Sequence, residues 1–511
     1  MKKTDLYLKP GTYIKSSTTT GEVQGISLEN FVVSVLNNPT CCPKPPGSPD
    51  GMLMTALPLN LTLQTVTDFV GNSSAIQLST LRLGIRSDSS VTTQTSSVIQ
   101  ATTTNANLVI SPNGTGALVA SIPDGTVTGG NARGTNAVDL QTSRTLNTQV
   151  AGGQSSVISG GANNRISSGY SFSTIGGGSG NVINSFHTFL AGINNSSLGD
   201  FSVAIGNSNA SNGYASVAFG SGNASSGSRS TISGGDTNTA SSNFSTISGG
   251  QSNTASTGTH ATVVGGQSNT SSGLHSISGG LTSTASGGRS VAFSASTASG
   301  QSSFAVGDVV TASGSKSIAL GADSQATQLG AVAIGNVVSA TAESSFASGN
   351  RSSAYLLGQN ARANGFFVGS GDAQNSNLTA RRAATLTTGG TTVLSLDGTG
   401  TTNLIIPSGN NRLWAVKVVA TAFVSVAGGT LVLGDSYMGE FTLLFKRVGG
   451  TSSVVGVNSA NIIYDTNMAT AAFTFAAGAS QDLQITFKAP TTASATTFRC
   501  VAKVELVEVA Y

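Results

Sequence analysis

Between residues 151 and 374 the apolar positions follow neither a helical period nor a long strand alternation. They come in short bursts separated by Gly, Ser and Asn. Each burst opens on an anchor residue, small at all but one position: Ser156, Ser173, Thr188, Ser202, Ser216, Ser230, Ser245, Ala261, His275, Ser290, Ser303, Ser317, Ala331 and Ser345. Successive anchors are 13 to 17 residues apart, mostly 14 or 15. A near-constant period of that length predicts a solenoid. Two kinds of burst alternate. Ser202-Val203-Ala204-Ile205-Gly206 carries its bulk one and three places after the anchor, whereas Ser230-Thr231-Ile232-Ser233-Gly234-Gly235 carries it two places after. These positions lie on opposite faces of a strand. A strand that places bulk on either face is expected to be buried on both, one face filling the coil and the other meeting a partner chain.

A coil of about 14 residues holds two short strands and two tight turns, with successive coils paired in parallel along the axis. Segments such as Asn238–Ser241 and Asn253–Ser256 are expected to form the second, more polar strand, facing outward. Proline cannot donate to such a ladder, and none occurs between Pro123 and Pro407. So thin a roll cannot enclose a generous core alone, which predicts three parallel copies around a shared axis, a homotrimer.

Composition supports order over disorder. Gly is 65 of 511 residues and charged residues only 9%, but 38% of the chain is apolar and regularly placed. The net charge of +3 comes from 24 scattered Lys and Arg, with no basic stripe for nucleic acid. No apolar run is long enough for a membrane helix, and no apolar segment follows Met1-Lys2-Lys3 as in a signal peptide. This predicts no membrane insertion and synthesis in a cytoplasm.

The repeats, with their Ser-Val-Ala-Ile-Gly bursts, resemble the head domain of trimeric autotransporter adhesins, the YadA-like left-handed β-roll. The flanks resemble tail-fibre and other virion fibre proteins of tailed bacteriophages: Gly129-Gly130-Asn131-Ala132-Arg133-Gly134-Thr135-Asn136-Ala137-Val138-Asp139-Leu140-Gln141 before the repeats, Gly371-Asp372-Ala373-Gln374 after them, and an end closing on Val504–Val509. The resemblance implies a virion fibre that attaches to the host surface. The alternatives are a bacterial trimeric surface adhesin and a polysaccharide-degrading tailspike.

The expected fold is therefore all-β: a parallel β-solenoid over 151–374 and a β-sandwich or jelly roll over 375–511. The latter rests on runs such as Leu413–Val419, Phe441–Phe445 and Leu483–Phe487. Residues 1–90, turn-rich around Pro39–Pro49, read as an irregular attachment region facing other virion proteins, with either a short helix over Ile26–Leu36 or a strand over Asn30–Val35. Residues 91–150 read as an extended neck. The tip, 375–511, is expected to meet a host glycan or protein through loops such as Leu433–Gly439 and Pro490–Thr497.

Candidate chemistry is sparse. Glycoside hydrolysis needs two carboxylates about one bond. The roll offers Asp200, Asp236, Asp308, Asp323 and Glu343, of which Asp308 and Asp323 lie one coil apart. They read as solvated surface charges, so no catalytic residues are assigned. His187 and His260 precede anchors, where Phe172, Phe201, Phe244, Arg229 and Arg289 also occur, so that column takes large side chains of any chemistry. With no zinc-type Cys/His spacing, no metal and no cofactor are expected. Cys41 and Cys42 read as free thiols, and Cys500 as a small core residue on a face with Phe498, Ala502 and Val504. Trp414, the sole tryptophan, shares a face with Val416 and Val418 and reads as core. Tyr437, in Gly434-Asp435-Ser436-Tyr437-Met438-Gly439, is the receptor-binding candidate.

Overall fold

The computed structural model describes residues 6–9, 12–14, 110, 112, 114–400 and 411–510. The chain divides into two compact units, Met1–Leu108 and Val109–Tyr511. In the first, strand Leu6–Lys9 pairs antiparallel with Thr12–Ile14. Cys41, Cys42, the proline cluster and Ile26–Leu36 lie outside the described residues.

The second unit begins as a parallel β-solenoid. Each coil contributes a longer strand, such as Val203–Asn207 or Val332–Asn336, and a two-residue strand, such as Ala210–Ser211 or Ser339–Ala340. Longer strands pair only with longer strands of adjacent coils, and short with short, all in parallel. The ladder starts at Leu118–Val119, which pairs with Val138–Asp139 and, through it, with Val157–Ile158. It therefore reaches into the stretch expected to be a neck. The first coils are longer and lack the burst motif, so periodicity could not find them.

Inside the roll, the residue two places after the anchor fills the coil. Ala204, Ala218, Ile232, Ile247 and Val263 are fully buried, and their outward neighbours are not. The anchor expected at His275 is in fact Ser276, fully buried and followed by Ile277–Leu281 in register with Thr262–Gln267. His275 occupies the turn position just before it.

The Asn segments do not face outward as expected. Asn164, Asn181, Asn195, Asn209, Asn223, Asn238, Asn253 and Asn269 are all buried and stacked coil on coil. Asn195 shows the pattern. Its backbone N–H and its Nδ2 both donate to Asn181 Oδ1 (3.1 and 3.0 Å), and Nδ2 also reaches the Gly206 carbonyl at 2.9 Å. A buried amide is tolerated only when its groups are paired, and here the stacking of identical coils pairs them. Asn209→Ala strips partners from the Asn223 N–H (3.0 Å) and the Gly220 carbonyl (2.8 Å). We expect a loss of about 1–3 kcal/mol, read as a lower chemical-denaturation midpoint.

The two flanking motifs close the roll. At its start Asp139, fully buried, accepts from Arg133 Nε at 2.8 Å and Arg144 Nη2 at 3.5 Å. Gln141 heads the Asn stack: its Oε1 accepts the Asn164 N–H (3.0 Å) and its Nε2 donates to the Asn164 carbonyl (2.9 Å). At the other end Gly371 turns with φ 83°, Asp372 accepts N–H groups of Phe367 and Gly369, and Gln374 binds both backbone groups of Ser353 and the Glu508 carboxylate. Gln141 and Gln374 thereby pair backbone groups at the two ends of the short-strand ladder, while the long-strand ladder continues to Leu118–Val119 on one side and to Ala373–Leu386 on the other.

Beyond the cap, strand Asn360–Asn364 pairs antiparallel with Ala373–Leu386, so the long-strand sheet runs directly into the C-terminal region. There, Ala373–Leu386, Thr496–Ala510, Arg412–Val426, Ser436–Val448 and Thr451–Tyr464 form one antiparallel sheet in that order. Thr391–Leu394, Leu483–Lys488 and Ala472–Ala477 form a second. The two meet through Phe487 against Phe498 (5.2 Å) and Phe473 against Phe441 (6.4 Å), over a core that includes Trp414 and Phe445. Trp414 is fully buried, and Cys500 is buried with its thiol pushed up to about 12 by desolvation. The described residues contain no α-helix.

Asp482 is the misfit of this core. It is buried, and neither carboxylate oxygen has a protein partner, so desolvation holds its pKa above the ordinary value. The folded state therefore binds this proton more tightly than the unfolded chain, and stability falls as pH rises from the ordinary carboxylate pKa through the raised one. Asp482→Asn should add about 1–3 kcal/mol at neutral pH and flatten that part of the profile, measured by thermal unfolding at stepped pH.

Candidate interaction surfaces

The roll presents two continuous surfaces, and the physics of the coil produces both. The first is the outward face of the long strands, one and three places after each anchor. Pairing in register stacks Phe189, Val203 and Val217, with Ile205 on Phe219 beside them. Farther along it stacks Val291, Phe304, Ile318, Val332 and Phe346, with Phe293, Val306, Leu320 and Ile334 alongside. Phe189, Ile205, Phe219, Phe304 and Ile334 are each between 37% and 40% exposed in the single chain. Apolar stripes of this extent, on either side of the Thr/Ser coils in the middle of the roll, mark an interaction surface.

The stripe and the interior trade bulk. Where the interior is Ile232 and Ile247, the outward residues are Thr231, Ser233, Thr246 and Ser248. From Ala285 to Ala361 the interior is alanine at nearly every place, and the outward residues are Val, Ile, Leu and Phe. An alanine side chain buries far less apolar surface than isoleucine. Those coils carry most of their hydrophobic material on the outside.

The second surface is a turn edge. The residue before each anchor adopts positive φ: Phe172 60°, His187 56°, Phe201 59°, Arg229 55°, Phe244 57°, His260 61°, His275 55° and Arg289 58°. A left-handed conformation costs a non-glycine residue about 1–2 kcal/mol. It aims each backbone N–H at the preceding coil; Phe201 donates to Phe186 and Arg229 to Tyr214. The side chains then stack. His187 lies between Phe172 (5.3 Å) and Phe201 (4.7 Å), and His260 between Phe244 (4.9 Å) and His275 (4.8 Å). Arg229 bridges the two groups over the rings of Tyr214 and Phe244. Phe172, Phe201, Tyr214 and Phe244 are 41–55% exposed. The turn edge of the roll is thus lined with exposed aromatic rings. The signal was present in the sequence as the large-residue column, but only coil stacking turns it into a strip.

In the C-terminal region the outer face of the five-stranded sheet is the same face as the stripe, because Arg362 of the last long strand is registered on Asn375 and Asn375 on Val507. Near the roll this face is apolar, with Leu413, Leu444, Val455, Val457, Val507 and Val509 exposed. Farther out it is charged, with Lys417, Arg499, Lys503 and Glu505; the last two form a 2.7 Å ion pair.

Tyr437 is not on a loop. It is the second residue of strand Ser436–Val448, 6% exposed, with its ring against Tyr464 and Phe473. It belongs to the core, because the strand begins at Ser436, inside the Gly434–Gly439 stretch whose composition suggests a loop. Asp308 ends the long strand Phe304–Asp308 and Asp323 follows the next one; both are exposed, and the Asp323 N–H donates to the Asp308 carbonyl. Among the described residues no three His, Cys, Asp or Glu side chains are grouped to hold a metal ion.

No family model and no curated protein matches the chain. Among solved structures it is similar to the tailspike protein of Acinetobacter phage vB_ApiP_P1, at 9% identity and a TM-score of 0.24, over 77% of this chain and 80% of that one. It is also similar to the tailspike of Acinetobacter baumannii phage AM24, at 8% identity and a TM-score of 0.18, over 76% of each chain. Likeness at this level leaves the functional reading to the surfaces just described.

Proposed function

We propose that the chain is one protomer of a trimeric, rod-like fibre on the virion of a tailed bacteriophage, which attaches the particle to the host surface without cleaving it. The observation that carries the assembly is the outward apolar stripe. It covers two stretches of the roll, residues 189–219 and 291–346, the second beside an alanine interior too small to hold those coils alone, and would be buried if three copies aligned in register. The virion assignment rests on the resemblance of the two flanking motifs to phage fibre proteins. In this reading residues 1–90 dock on other virion proteins, the roll is the spacer, and 375–511 recognises the host.

Against the tailspike alternative, Asp308 at a strand end and Asp323 just beyond the next strand are both exposed to solvent, which is a poor setting for the paired, differently protonated carboxylates of a glycosidase. Incubation of the purified protein with host capsule or lipopolysaccharide should release no new reducing ends. Gold-labelled antibody to the roll should decorate projections on intact particles. Labelling of a bacterial envelope in cells free of phage would instead favour the adhesin alternative.

A further inference from the structure

Between residues 185 and 352 the roll has nine charged residues, and all of them lie at the two edges of the long-strand sheet. Arg229, Arg289 and Lys316 occupy the positive-φ turn just before the long strands, and Glu343 adjoins the same turn at Ser344. The opposite edge, where the long strands end, carries acids. Asp236 is bridged to Ser221, the last residue of Val217–Ser221, and Asp308 ends Phe304–Asp308. Asp323 and Arg351 follow the strands that end at Ala322 and Asn350. The ninth charge, Asp200, is used locally, accepting the Phe186 N–H at 2.9 Å.

The signs run base, base, base, acid along the first edge and acid, acid, acid, base along the second. Heights match as well. Arg229 and Asp236 flank the strand Thr231–Ile232, Lys316 and Asp323 flank Ile318–Ala322, and Glu343 and Arg351 flank Phe346–Asn350. Arg289 and Asp308 lie on adjacent coils, joined through Val291 and Phe304. Within one chain the members of a couple stand at opposite ends of a strand, roughly 20 Å apart at ~3.3 Å per residue. No ion pair among the described residues includes any of them. Two of the cations are nevertheless held in place, Arg229 over the rings of Tyr214 and Phe244 and Arg351 over Phe366 at 3.8 Å.

Cyclic symmetry supplies the missing partners. When parallel sheets face a common axis, each copy sets its first edge beside the second edge of its neighbour, and rotation about the axis keeps every residue at its own height. Each charge then meets the opposite sign. We propose that neighbouring copies are zipped edge to edge by interchain ion pairs, Arg229 with Asp236, Arg289 with Asp308, Lys316 with Asp323 and Glu343 with Arg351, which fix the copies parallel and in register. This rests on the assembly reading above and adds its alignment. Exposed ion pairs contribute little stability each and act chiefly on orientation and register, so the apolar stripe holds the copies and the edges align them. An inverted neighbour would set like edge against like.

The test is cross-linking of the full-length chain carrying Lys316→Cys and Asp323→Cys, with Cys41→Ser and Cys42→Ser removing other thiols; Cys500 is buried. A short bismaleimide is the linker, because ion-paired residues stand beyond the reach of a disulfide, while the two positions within one chain lie beyond the reach of the linker. We expect a covalent ring of three chains on a denaturing gel. Lys316→Cys alone should give none, and neither should Lys316→Cys with Ser268→Cys, whose exposed turn lies four coils away on the second edge. In parallel, Lys316→Glu should cut the assembled fraction about threefold or more at low ionic strength, and adding Asp323→Lys should restore it. A trimer by sedimentation that fails to cross-link at 316 and 323, cross-links equally at 316 and 268, or is not restored by the charge exchange would overturn the edge pairing and leave the assembly standing. A cross-linked product ending at two chains would keep the edge pairing and remove the three-fold reading. A wild-type protein that stays a single folded chain would remove both.

Discussion

Ile334→Asp combined with Val332→Asp should abolish assembly of the fibre. Both residues point outward from one long strand, in coils whose interior is alanine. Assembly would place the new carboxylates of three chains around one axis. The cost of burying an unpaired ion is on the order of several kcal/mol even after relaxation. The same coils have little apolar interior of their own, so losing the partner should also expose them to local opening. Sedimentation should show the assembled species replaced by a lighter one, and limited proteolysis should cut between residues 277 and 350. Gln325→Asp, on the exposed face of a short strand, is the matched control and should change neither. An assembled, protease-resistant double variant would show that the stripe faces solvent.

The second large effect belongs to the start of the roll. Asp139 neutralises two guanidinium groups whose side chains are buried, Arg133 and Arg144, and its carboxylate also accepts the Gln141 N–H at 3.3 Å. Removing the one acid leaves two buried cations facing each other. Breaking a buried pair from one side costs about 3–5 kcal/mol, and here one acid serves two partners. Asp139→Ala should therefore fray the first coils from Leu118 to Ile166, seen as lost amide-exchange protection there, with the coils beyond Asn195 unchanged. Triple replacement of Arg133, Asp139 and Arg144 by apolar residues should recover much of the loss, because no buried charge then remains. Uniform loss of protection along the whole roll would mean that the cap controls global stability.

The period, the two-strand coil and the missing proline were legible in the sequence because each repeats many times, and repetition is what a single chain displays most clearly. The core face of the last strand was equally plain: Phe498, Cys500, Ala502 and Val504 are all buried. What stayed hidden depends on stacking. Asn238 and Asn253 look like surface residues one coil at a time; only a neighbour carrying the same amide makes burial affordable. The anchor expected at His275 was one residue out because Leu274-His275-Ser276 offers two plausible openings, and only pairing with the previous coil selects Ser276. Gly129–Gln141 and Gly371–Gln374 stood out by resemblance, but nothing in their spacing revealed two caps.

The most direct measurement is the mass of the intact wild-type protein by sedimentation equilibrium in mild buffer. One species at three times the chain mass of 50.8 kDa, persisting on dilution, is the expected result. A fully folded species at the mass of a single chain would contradict it, since the stripe would then be a surface that water tolerates.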